Sequence, residues 1–173
     1  DSGGVWLVTK DGNDILPCSA TTPCFTPNNI RVCWGNSGTI TLETPAIELT
    51  FVYEDPVGTY HTAKVAYDPN NTLTRRQSNK FSAPSGGSCT ISNQNFAFST
   101  TISNFPALGI PGVPGQTKLM KVRFLYNTTT AETFGVSTSV GVFPPQGKQV
   151  SSVGQAGNAT RKIEAYLLNP SLP

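Results

Sequence analysis

Four cysteines, at positions 18, 24, 33 and 89, are the residues of this 173-residue chain with the most defined chemistry. Their number is even and they stand among Thr, Ser, Asn and Pro, the setting of disulfides in an oxidising compartment. Four cysteines allow three pairings. Cys18 and Cys24 flank the turn-prone Ser19-Ala20-Thr21-Thr22-Pro23, which a bridge would close, and this favours Cys18–Cys24 with Cys33–Cys89. Their spacing matches no zinc knuckle, and His61 is the lone histidine. His61 sits in a Thr-rich strand and the chain has no Gly-x-Ser-x-Gly elbow, so a serine triad is not expected. Disulfide formation would also remove the thiols from nucleophilic catalysis.

The carboxylates give weaker signals. Glu43, Glu48, Glu54, Glu132 and Glu164 could supply a glycosidase pair if two faced one cleft. Asp11-Gly12-Asn13-Asp14 has the oxygen density of half a calcium loop, but Asp and Asn also shape turns through their own backbone contacts. Asp55 and Asp68 read as turn residues. Arg75-Arg76 with Lys80 is the densest basic run; without aromatics among them it reads as a solvated loop, and no nucleic acid is expected as a partner. No cofactor motif is present. Sequons begin at Asn70, Asn127 and Asn158.

Aromatic residues on strands and apolar residues in loops are candidates for binding. Trp6 and Trp34 could form a sugar platform together with the tyrosines, making surface glycans a candidate partner. The stretch from Phe105 to Gly115, rich in Pro and Gly, carries Leu108, Ile110 and Val113, which form a contact patch if exposed or cap the fold if turned inward. Leu108, Ile110, Val113, Trp6 and Trp34 are therefore the candidate interaction surface.

The elements that position these groups are strands. Charged residues are only 13% of the chain while Gly and Pro number 16 and 14, which excludes a helical bundle and a coiled coil. Expected strands are Val5–Thr9, Ile30–Trp34, Thr39–Leu42, Ala46–Tyr53, Tyr60–Asp68, Ser88–Ile91, Phe96–Ile102, Lys118–Tyr126, Thr133–Thr138, Gly147–Gly154 and Thr160–Leu167. Ala46–Tyr53 and Tyr60–Asp68 read as one hairpin across the turn formers Glu54–Gly58. Thr133–Thr138 is expected to fold back on Lys118–Tyr126, and the last two strands to form a hairpin. The pattern predicts an all-β fold, an antiparallel β-sandwich forming a single extracellular domain over residues 1–173.

The last third resembles the C-terminal end of type IV pilin-like proteins, particularly minor pilins and pseudopilins. The residues that carry this are the strand Lys118–Tyr126, the sequence Phe143-Pro144-Pro145-Gln146-Gly147, and a Ser-x-Gly-x-x-Gly pattern at Ser152, Gly154 and Gly157. Arg161, Ile163 and Ala165 follow on an alternating strand. The resemblance implies the globular head of a structural filament subunit, without catalytic activity, at the cell surface. Other pilin-like subunits would be its partners, and its membrane contact would run only through an apolar helix preceding Asp1. Two further function classes stand beside it: a carbohydrate-binding or adhesive β-sandwich, and an extracellular hydrolase.

Overall fold

The computed structural model describes residues 2–169 except Leu73 and Asn158. In chain order its strands are β1 (Ser2–Trp6), β2 (Lys10–Asp11), β3 (Asp14–Ile15), β4 (Ile30–Trp34), β5 (Ala46–Glu54) and β6 (Tyr60–Tyr67). After the short helix α1 (Arg75–Asn79) come β7 (Cys89–Ile91), β8 (Gln94–Phe96), β9 (Phe98–Ile102), β10 (Thr117–Leu125), β11 (Phe134–Ser137), β12 (Gly147–Ala156) and β13 (Ala159–Leu168). The fold is all-β, as the alternating pattern predicts.

Two antiparallel sheets carry the core. One has the order β1-β10-β5-β6, the other β11-β4-β9. Period-two alternation on β5 turns Ile47, Leu49 and Phe51 inward, and on β10 it turns Met120, Val122 and Phe124 inward. From the facing sheet come Ile30, Val32, Trp34, Phe98 and Ile102, closing a β-sandwich core. Leu119, one position from Met120 in the same alternation, faces the opposite side of the sheet, where it packs with Trp6 and Val8 as a smaller second cluster.

The β5–β6 hairpin forms as expected, in the register Leu49↔Val65 and Val52↔Thr62. Asp55 shapes its loop: Oδ1 accepts the backbone N–H groups of Val57 and Thr59 at 3.0 and 2.9 Å, and Gly58 takes φ +86°.

Several expectations are corrected. The segment Thr39–Leu42 is not a strand: Thr44 Oγ1 accepts the Thr41 N–H at 2.7 Å and the chain turns there, leaving Leu42 exposed. The regular first strand ends at Trp6: Leu7 still donates its N–H to Lys118 O at 2.8 Å, but its carbonyl turns to accept from Phe25, and Leu7 and Val8 stay buried. The run Phe96–Ile102 divides at Ala97, whose N–H donates to Gly35 O, so β8 pairs with β7 while β9 pairs with β4. β11 pairs not with β10 but with β4, Phe134 facing Trp34 and Val136 facing Val32. Its Phe134 ring meets Phe124 of the opposite sheet at 6.3 Å, which draws the strand across the sandwich.

Candidate functional site

Both expected disulfides are present, Cys18–Cys24 and Cys33–Cys89. The first closes an exposed loop; the second ties β4 to β7 inside a small cluster with Phe96. The two bridges suit an oxidising, extracellular or secreted environment.

The candidate interaction residues divide on burial. Trp34 is fully buried, its Nε1–H donating to Pro45 O at 3.0 Å, and Trp6 is buried beneath Lys10, whose Nζ lies 4.2 Å from the ring centre. Ile110 is buried as well, beside Phe105, which meets Phe25 and Phe51 at 5.8 and 5.5 Å. The stretch from Phe105 to Gly115 is thus a cap on the sandwich: Leu108 packs partly against the core, and Val113, 53% exposed, faces solvent. The exposed-surface reading of Trp6, Trp34 and Ile110 is corrected, because these apolar groups gain more from the core than a water-facing patch offers. With both tryptophans inside, no indole platform for sugars remains.

The carboxylates are mostly occupied by cations or hydroxyls. Glu54 pairs with Lys118 at 2.7 Å and Glu48 with Lys64 at 3.6 Å, while Glu164 pairs with Lys162. Asp11 accepts from Lys148 Nζ at 2.6 Å, and this hydrogen bond lowers its pKa. Among the described residues no three His, Cys, Asp or Glu side chains gather to hold a metal ion. His61 Nε2 lies 2.9 Å from Asp55 Oδ2 and its exposed ring stacks at 5.5 Å on Tyr53, which is half-buried against the core. The Asp55 pKa is lowered, chiefly by that hydrogen bond.

Glu43 and Glu132 share one recess of about 210 Å³ with Asn36, Thr39, Thr41 and Thr44. Burial raises the Glu132 pKa, and its Oε2 has no hydrogen-bond partner; backbone and hydroxyl donation from Thr128 lowers that of Glu43. Opposed shifts are what an acid–base pair needs. The recess, however, is smaller than the 300 Å³ or so at which ligand pockets begin, and both Glu43 oxygens already accept from Thr128 at 2.7–3.0 Å.

Two arrangements have no signal in the sequence. Asp68, read as a turn residue, is fully buried and holds Arg75 by two hydrogen bonds, and Asn79 Nδ2 adds a third at 2.8 Å. Gln146 serves the edge strand β1 as a ladder partner: its Oε1 accepts the Trp6 N–H at 2.7 Å and its Nε2 donates to Trp6 O at 2.8 Å. The sequon at Asn70 is closed to sugar, since Asn70 is buried and its Nδ2 donates to Thr41 O at 2.9 Å. Asn127 is half-buried beyond β10, and Asn158 lies outside the described residues.

Gln146 also roots the most exposed element. β12 and β13 pair over ten residues each and, among the described residues, join neither sheet. Root contacts are the Lys148–Asp11 ion pair, Asn169 N–H to Gln146 O at 2.8 Å and Asn169 Nδ2 to Pro145 O at 3.1 Å. At the length of ten strand residues, the hairpin reaches about 30 Å. Val150, Val153, Ile163, Tyr166, Leu167 and Leu168 are all at least half exposed, Leu168 by 78%. Residues opposite in an antiparallel ladder share a face. Lys148/Leu167, Val150/Ala165 and Ser152/Ile163 therefore form one face, and Gly147/Leu168, Gln149/Tyr166, Ser151/Glu164 and Val153/Lys162 the other, so that exposed apolar side chains stand on both. Gly157 takes φ +60° at the tip. The alternation was legible in sequence; that both faces stand in solvent was not.

Comparison with protein-family models, with curated proteins and with solved structures finds no match to this chain.

Proposed function

We propose that this chain is a structural subunit of a type IV pilus or related pseudopilus filament, acting through protein–protein surfaces without catalysis. The observation that carries the reading is the β12–β13 hairpin: Val150, Ile163 and Leu167 stand in water on an arm that a lone two-stranded ribbon does not stabilise well. Exposed apolar surface of this kind fits a partner-binding element. The residues that resemble the pilin-like C-terminus, Ser152, Gly154, Gly157, Arg161, Ile163 and Ala165, all belong to this hairpin and its tip. Two disulfides suit an appendage outside the cell.

The test is immunogold labelling of filaments sheared from the native cell, using antibody to this chain. Label along filaments is the expected result; label confined to soluble secreted protein or absent from filaments overturns the reading. The adhesive alternative retains only dispersed tyrosines, such as the exposed Tyr60 and Tyr166 on different elements.

A further inference from the structure

We propose that the arm is a self-association element: β13 adds antiparallel to β13 of a second copy of this chain across a two-fold axis at Ile163. This goes beyond the filament reading and stands independently of it, since a two-fold contact closes on itself and does not extend a filament.

Among the described residues β13 pairs on one side only, with β12, so its other edge offers unpaired backbone groups to an added strand. Lysine and arginine on an edge strand ordinarily repel a chance partner of the same kind. Here Lys162 and Glu164, which pair with each other within one chain, flank Ile163 symmetrically and can exchange that partner for the second copy's. With Ile163 opposite Ile163 of the second copy, Lys162 faces Glu164 of the second copy and Glu164 faces its Lys162. Centring on Lys162 or on Glu164 instead sets like charges against each other on the axis. The Ile163 register also puts Arg161 opposite Ala165 and Thr160 opposite Tyr166. A four-stranded sheet results, β12-β13 followed by the same pair inverted, meeting the three-strand minimum that the lone hairpin lacks. Ile163, 68% exposed in the single chain, becomes the central cross-strand contact. An edge contact of this length lies below the roughly 1,200 Å² of a standard interface, so the dimer is expected to be weak, with a dissociation constant on the order of micromolar.

Sedimentation velocity on the 173-residue chain tests this with K162E and E164K, exposed substitutions away from the core. Wild type should sediment as a monomer–dimer equilibrium. Each variant alone sets two like-charge pairs across the axis and should weaken association on the order of tenfold. An equimolar mixture of the two variants restores both opposite-charge pairs in the heterodimer and should associate about as tightly as wild type. A wild type that stays monomeric up to about tenfold above micromolar concentration, a dimer indifferent to both substitutions, or a mixture no tighter than either variant alone overturns the proposal. None of these outcomes bears on whether antibody labels filaments.

Discussion

Asp68 and Arg75, seven positions apart, form a two-pronged ion pair in which Arg75 Nη2 meets Asp68 Oδ1 at 2.6 Å and Arg75 Nε meets Oδ2 at 2.8 Å. The guanidinium also donates to the carbonyls of Leu42 and Thr44 at 2.9 and 2.7 Å and lies over the Tyr126 ring. One buried carboxylate thereby fastens the irregular 39–45 segment and α1 to the end of β6. Asp68→Asn leaves the Arg75 charge largely buried without its counter-ion and is expected to cost about 3 kcal/mol. For a chain of this size that lowers the thermal midpoint by roughly 10 °C, read by differential scanning calorimetry. An unchanged midpoint would contradict the fastening role.

The same pair sets an acid limit. Burial pushes the Asp68 pKa up, but hydrogen bonds from Arg75, Asn70 and Asn79 outweigh it and hold the carboxyl below its ordinary value. The unfolded chain then takes up this proton first. The linked stability is complete above the unfolded pKa of about 3.9 and drains as pH falls through the lower folded value. Denaturant midpoints followed from pH 6 down to pH 2 should fall steeply below about pH 4 in wild type, and D68N should flatten that fall.

Glu132 has the opposite sign. Its folded pKa is raised by burial, so ionisation above that value costs stability, and protonation as pH falls relieves the cost. Glu132→Gln should raise the thermal midpoint at pH 7, with the gain shrinking toward pH 4; a loss at pH 7 would contradict the unpaired placement of Oε2.

The two disulfides are predicted to be unequal. Removing Cys33–Cys89, which spans 56 positions, frees a long loop and is expected to cost about 4 kcal/mol on the chain-entropy model. Removing Cys18–Cys24, which spans 6, should cost about 2 kcal/mol. Paired Cys→Ser variants compared by urea melts give both values.

The cap is testable by contrast within one loop. Ile110→Ala removes a buried side chain and should cost about 3 kcal/mol, whereas Val113→Ala, at an exposed site, should stay within about 0.5 kcal/mol. Equal effects would contradict the inward fold of this stretch.

Local pattern made much of this legible in the sequence. Alternation at Ala46–Tyr53 and Lys118–Tyr126 located the two long central strands, and the short spacing of Cys18 and Cys24 favoured the observed bridges. What failed was long-range. Whether Trp34 lies in the core or on a surface depends on which strands flank it, and β11 reaches it from 100 positions away. The Asp68 network joins a strand end, a helix and a loop 31 to 33 positions upstream of Arg75, for which no local spacing gives a signal. The arm's residues alternate as those of any packed hairpin do, so their exposure could be read only from the placement of both sheets.

The central claim, that the arm of this chain contacts other subunits in an assembled filament, is tested most directly by a photo-crosslinking residue at Val153 in the native cell. Irradiation followed by electrophoresis of the sheared surface fraction is predicted to give a ladder of crosslinked species containing this chain and further filament subunits. A chain that remains uncrosslinked at its single-subunit mass in that fraction would contradict the account.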